Sequence, residues 1–184
     1  KTGDKIILTK TAGIEGTAIL ASDREEKLKN TVTRLTIQRA QEFFDKVSVT
    51  NEALTAYETG GVHAMHDPTE GGIAGGIHEM ADASGLGFRI FEEKIPIATE
   101  TLQICKTFDI NPLYLIASGS MLIAADTKSA ENIVSSLKKK KILATVIGEF
   151  LSSQNQRIIM KKNKTREELA RPVSDELWTA LARH

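Results

Sequence analysis

The residues best suited to chemistry lie between Asp67 and Gly76. There Val62-His63-Ala64-Met65-His66, which reads as a short buried strand, runs into Asp67-Pro68-Thr69-Glu70-Gly71-Gly72 and then into a helix over 71–84. The first N–H groups of a helix have no partner within it, the macrodipole adds roughly half a positive charge, and glycine removes the Cβ that would hold an anion away. Gly71 and Gly72 are therefore expected to offer main-chain amides to a phosphate or similar group. Thr69 is expected to cap the helix or to hydrogen-bond a ligand. Asp67 suits a metal ion or a substrate group, and equally an ordinary turn before proline. Glu70 would repel a phosphate unless a metal or lysine intervenes, and it also suits the first turn of a helix. Gly75 and Gly76 each cost the helix about 1 kcal/mol relative to alanine, so close packing must offset them.

Two further glycine turns are weaker candidates for an anion cradle. In Thr9–Gly16, Gly13 and Gly16 surround Glu15; in Ala117-Ser118-Gly119-Ser120, Gly119 stands just before an apolar strand. Neither continues as a phosphate loop, and the chain has no dinucleotide fingerprint and no nucleophile elbow. His63 and His66 fall on opposite faces of a strand, a poor geometry for a metal pair. His78, four residues before Asp82, reads as an exposed helix pair. With no zinc or iron signature, the chain alone is expected to hold no metal.

These loops need elements to position them. The pattern predicts strands over 5–9, 62–66, 88–91, 120–125, 144–150 and 157–161. It predicts helices over 17–29, 33–47, 51–59, 71–84, 98–108 and 128–139. Strands separated by helices without strict βαβ regularity favour an α+β fold, with a mixed sheet and helices packed on it. Residues 1–161 read as one domain. Residues 162–184 read as a charged connection followed by a helix that Val173, Leu177, Trp178 and Leu181 could pack against the body.

Composition narrows the classes of function. The 184 residues suffice for one core, and Lys plus Arg balance Asp plus Glu at 24 each, which disfavours nucleic acid and anionic membranes as partners. The one cysteine, Cys105, sits among Leu102, Ile104 and Phe108 and is expected in the core. No apolar run approaches the roughly 20 residues that span a bilayer, so a soluble, cytoplasmic protein is expected. The opening Lys-Thr-Gly-Asp-Lys lacks an initiator methionine and reads as the middle of a longer polypeptide.

Asp67-Pro-Thr-Glu-Gly-Gly-Ile-Ala-Gly-Gly-Ile-His-Glu-Met-Ala-Asp-Ala-Ser-Gly-Leu-Gly, followed by Glu93-Lys-Ile-Pro-Ile, resembles the hydrogenase expression/formation proteins of the HypE type. Gly3-Asp, Ala12-Gly-Ile-Glu-Gly-Thr-Ala-Ile-Leu-Ala, Asn111-Pro-Leu-Tyr, Ala117-Ser-Gly-Ser-Met-Leu-Ile-Ala and Ile147-Gly-Glu extend the resemblance to about Phe150. It implies the C-terminal domain shared across the aminoimidazole ribonucleotide (AIR) synthase-related superfamily. That domain is a three-layer α/β/α arrangement with a mixed sheet, partly ferredoxin-like.

The resemblance further implies an ATP- and Mg2+-dependent enzyme whose N-terminal nucleotide domain lies outside this chain. Its partners would be that domain, a second copy in a homodimer, and a phosphate- or nucleotide-bearing small molecule. Carried over by position, Asp67 would be catalytic, with Thr69, Gly71 and Gly72, and more weakly Glu15, Gly16 and Gly119, binding phosphate or substrate across a cleft. The chain alone would then be inactive. The HypE-type motif usually has arginine where Glu70 stands, and the HypE-type tail ends in a Pro-Arg-Ile-Cys segment whose cysteine receives a carbamoyl group, where this chain reads Leu-Ala-Arg-His. Those departures motivate an alternative: a non-catalytic dimerisation or interaction module that keeps the fold.

Overall fold

The computed structural model describes residues 1–182. The chain runs through β1 (Lys5–Thr9), α1 (Ile14–Asp23), α2 (Glu25–Leu28), α3 (Arg34–Gln41), α4 (Thr50–Thr59), β2 (Val62–His66), α5 (Gly72–Ser84) and β3 (Gly87–Phe91). It continues through α6 (Thr99–Phe108), β4 (Leu122–Ala125), α7 (Ala130–Lys139), β5 (Ala144–Leu151), β6 (Arg157–Met160), β7 (Arg166–Glu168) and α8 (Glu176–Ala182). Among the described residues the strands form one seven-stranded sheet in the order β2-β4-β1-β5-β3-β6-β7. The sheet is mixed, because β3 and β6 pair in parallel while the other neighbours are antiparallel.

Strand alternation builds three layers. Ile6 and Leu8 of β1 and Leu122 of β4 face a core closed by Ile73 and Ile77 of α5. Ile7 and Ile123, pointing the other way, meet Ala56 of α4 and Ile133 and Leu137 of α7. A further cluster joins Leu20, Leu28, Ile37, Ile104, Phe108 and Leu177, so α1, α2, α3, α6 and α8 share one apolar centre. The fold is the expected α+β architecture.

Several expectations about elements need correction. The helix expected over 17–29 starts earlier, after Gly13 in the left-handed region (φ 68°), and breaks at Arg24 (φ −121°, ψ 25°) before α2. The helix expected over 33–47 tightens after Gln41 into a 3-10 turn, Glu42–Lys46. That turn buries Phe43 but leaves Phe44 and Val47 exposed. The charged stretch after residue 161 contributes β7 to the sheet edge. Of the tail residues expected to pack, Leu177 is buried, whereas Val173 and Trp178 are exposed. Arg183 and His184 lie outside the described residues.

Cys105 is in the core as expected, and burial, with a smaller contribution from the charge of Glu176, pushes its thiol up to about 12. Only the thiolate is nucleophilic. Alkylation by iodoacetamide at pH 8 should therefore be at least about 100-fold slower in the native chain than in urea; comparable rates would contradict this placement.

Candidate functional site

The three glycine turns that the sequence left separate come together in the fold. β1 delivers Thr9–Gly16, β2 delivers Asp67–Gly71, and the segment before β4 delivers Ala117–Ser120. β1 and β2 both flank β4. Gly119 N–H donates to Asp67 Oδ1 at 3.3 Å, Ser120 Oγ donates to Thr11 O at 2.6 Å, and Gly16 N–H donates to Ile116 O at 3.0 Å. Two of the glycines permit this approach. A Cβ on Gly16 would stand 2.4 Å from Leu115 Cγ, and one on Gly119, where φ is 100°, would stand 2.7 Å from Lys46 O.

Asp67 is the half-buried carboxylate at this meeting point. Burial raises its pKa above the ordinary 3.8, and the charge of Glu15 pushes the same way. The Gly119 amide and the charges of His66 and Lys10 oppose the shift. Glu15 Oε2 is itself buried without a hydrogen-bond partner among the described residues. Thr69, expected as a cap, does not cap α5 with its side chain; its carbonyl accepts the Gly72 N–H at 3.0 Å. Its side chain is exposed.

Lys10 holds the framework together. Its Nζ lies 2.8 Å from Glu52 Oε1 and donates to the carbonyls of Lys46 (2.7 Å), Ser48 (2.7 Å) and Gly119 (2.8 Å). The residue adopts φ 52°, an uncommon conformation for a non-glycine side chain. One ammonium thereby fixes the carbonyl of the same residue whose amide reaches Asp67. The sequence reading missed Lys10.

The start of α5 differs from expectation. Gly71 and Gly72 are buried, and the Gly71 N–H is taken by Asp175 Oδ2 at 2.7 Å. Asp175 is only 2 % exposed and also accepts from Ile116 N–H (3.2 Å) and Leu177 N–H (2.7 Å) through Oδ1. The expected open anion cradle is therefore filled by a carboxylate from the chain's own tail. Pro172 lies across the same turn, since a Cβ on Gly71 would stand 2.6 Å from its Cγ. A Cβ on Gly72 would stand 2.4 Å from Leu115 O, so Gly72 is needed for close approach of the backbones. The packing demanded by Gly75 and Gly76 is present: a Cβ there would lie 2.8 Å from Glu70 O and 2.7 Å from Pro68 Cβ respectively.

The histidines lie apart. His63 Nδ1 pairs with Asp4 at 2.8 Å, and His66 Nε2 with Glu79 at 2.6 Å. His78 is not an exposed partner of Asp82. It is buried, donates from Nε2 to Leu169 O at 2.9 Å, and packs edge-on to Phe88; burial lowers its pKa and favours the neutral ring. Asp82 pairs instead with Arg157 and Arg171.

A family model described as AIR synthase related protein, C-terminal domain, matches residues 1–161. The chain belongs to this family. Within the AIR synthase-related proteins it is similar to a protein of Methanocaldococcus jannaschii named for hydrogenase expression and formation. The two are 30% identical over 183 residues, covering 95% of this chain and 50% of the relative. It is also 23% identical to the carbamoyl dehydratase HypE of Bradyrhizobium diazoefficiens, over 87% of this chain and 44% of that protein. The chain thus spans about half the length of these relatives.

Among solved structures, HypE of E. coli, a hydrogenase maturation protein, matches with a TM-score of 0.80 at 23% identity, over 98% of this chain and 53% of that one. A HypE in complex with ATP matches at 0.72 and 18% identity, over 98% and 53%. A HypE–HypF complex matches at 0.74 and 24% identity, over 94% and 54%. At these identities the structures establish a shared fold. That AIR synthase-related fold is the one the Asp67 to Gly87 motif implied.

Proposed function

We propose that this AIR synthase-related domain forms one wall of an ATP-dependent phosphoryl-transfer site in a longer, HypE-like protein, with Asp67 as its catalytic residue. The observation that carries the reading is the convergence of Asp67 from the loop after β2, Glu15 from the first turn of α1 and Gly119 from the turn before β4. An oxygen on Glu15 that is buried without a hydrogen-bond partner among the described residues, close enough to Asp67 to raise its pKa, suits a cation, and a magnesium ion held there would supply charge neutralisation for a phosphate. No group of three His, Cys, Asp or Glu that could hold a metal occurs among the described residues, so further donors would come from the N-terminal half. Asp67 would orient the ion or the attacking group, with the exposed Thr69 bordering the phosphate, while Gly16, buried with its amide on Ile116 O, would only let the loops approach. Gly71 and Gly72, with their amides engaged, would shape the turn that presents Asp67 and Thr69.

In this reading the N-terminal half closes over the loops. β2 suits that contact: it is an edge strand with His63, Ala64 and Met65 exposed, the kind of edge that proteins cover. A homodimer of the longer protein and a protein partner of the kind seen in the HypE–HypF complex belong to the same proposal. The alternative, a non-catalytic interaction module, draws support from Asp175, whose carboxylate fills the place where an anion would bind.

Calorimetry separates the two. The longer protein should bind magnesium ATP in the micromolar range, and the 184-residue chain should give no measurable heat. Absence of binding by the longer protein would favour the module.

A further inference from the structure

A cavity of about 600 Å3 lies beside Lys10, within the size range of small-molecule sites. Its wall comes from the end of β1, the start of α1, α3 with the 3-10 turn that follows, the turn before α6 and the turn before β5. Ile14 and Phe43, both buried, supply an apolar floor, and Leu143 supplies an exposed apolar rim. Four cations line it: Lys10, Arg39, Lys46 and Lys141.

Their charges are not all neutralised. Lys10 is paired with Glu52 at 2.8 Å, and Lys46 lies over the Phe43 ring at 4.1 Å. Arg39 and Lys141 have no ion pair among the described residues. Setting Arg39, Lys46 and Lys141 against the lining carboxylates Glu42 and Glu100 leaves one net positive charge. Two lysines of the wall also adopt left-handed backbone conformations, Lys10 at φ 52° and Lys141 at φ 62°, tied by Lys10 N–H donating to Leu143 O at 2.7 Å. Such conformations persist only where surrounding structure enforces them, and they concentrate at binding sites.

We infer that this cavity binds a small anion carrying a ring-sized apolar body, such as an aryl phosphate. The ring would lie on Ile14 and Phe43, and the anionic group would reach Arg39 and Lys141. Cationic rims around an apolar floor select for this combination, because neither a bare anion nor a neutral ring satisfies both parts. The inference does not depend on Asp67 or on ATP.

Amide NMR of the 184-residue chain titrated separately with phenyl phosphate, phenol and inorganic phosphate tests it. Phenyl phosphate should shift Lys10, Phe43 and Leu143 saturably and bind at least about tenfold more tightly than phenol or phosphate. Arg39→Glu and Lys141→Glu, both at exposed positions, should each weaken it about tenfold with the dispersed spectrum retained. Equal affinity for phenol, shifts centred on Asp67 and Gly119, or full binding in both variants would each overturn the inference.

Discussion

Replacing Lys10 by methionine should lower the unfolding free energy by about 3 kcal/mol, toward the lower end of what breaking a buried ion pair costs. The figure is set by what stays behind. Glu52 is 3 % exposed and loses its ammonium partner, and the carbonyls of Lys46, Ser48 and Gly119 lose a charged donor. The lower end applies because the Lys10 side chain retains 20% of its exposure. Urea titration should show a reduced midpoint with unchanged slope. Combining Lys10→Met with Glu52→Gln should recover a large part of the loss, because the stranded charge is then gone. A single-variant loss below about 0.5 kcal/mol would mean that the loops hold themselves.

Asp175→Ala should cost a similar amount, about 3 kcal/mol, by stranding the N–H groups of Gly71, Ile116 and Leu177. Asp175→Asn, which keeps an acceptor oxygen, should lose less. Burial raises the Asp175 pKa above 3.8, against the three amides and with the charge of Glu70. The native state therefore holds this proton more tightly than the unfolded chain. The resulting stability is fully present below pH 3.8 and drains away as pH rises through the folded value. Asp67 contributes with the same sign. Glu149 and Glu92, lowered by Lys5 and by Lys161 respectively, act oppositely, adding stability above the ordinary value of 4.5 that is lost as pH falls. Asp175→Asn should flatten the decline just above pH 3.8; an unchanged pH profile would show that the carboxylate is not held as described.

Sequence legibility followed the range of the interactions. β1, α5 and the C-terminal arrest of α5 at Gly85 are local: an apolar run, a periodic face and a left-handed glycine at φ 65°. The motif from Asp67 to Gly87 also carried the family and its fold. Asp175 was not legible as a partner of Gly71, because 104 residues separate them. The Ser174-Asp175 pair before α8 did carry a local signal, that of a helix cap, and Asp175 does accept from Leu177 N–H. Lys10 gave less, since its carbonyl partners sit on two loops brought close only by β1–β4 pairing and the packing of α4. β7 lies in Arg166-Glu167-Glu168, fully exposed and without apolar alternation, so its pairing with β6 left no pattern to read. His78 was misread because its partner Leu169 O is 91 residues away.

The two stability predictions concern the scaffold; the functional claim rests on Asp67. Its most direct test is the magnesium-dependent affinity for ATP of the longer protein with Asp67→Asn, measured by calorimetry beside the unsubstituted protein. Affinity should be at least about tenfold weaker in the presence of magnesium, with little difference in its absence and a thermal midpoint no lower than that of the unsubstituted protein. Equal affinities with magnesium would contradict that claim and leave Asp67 as a turn residue that braces Gly119.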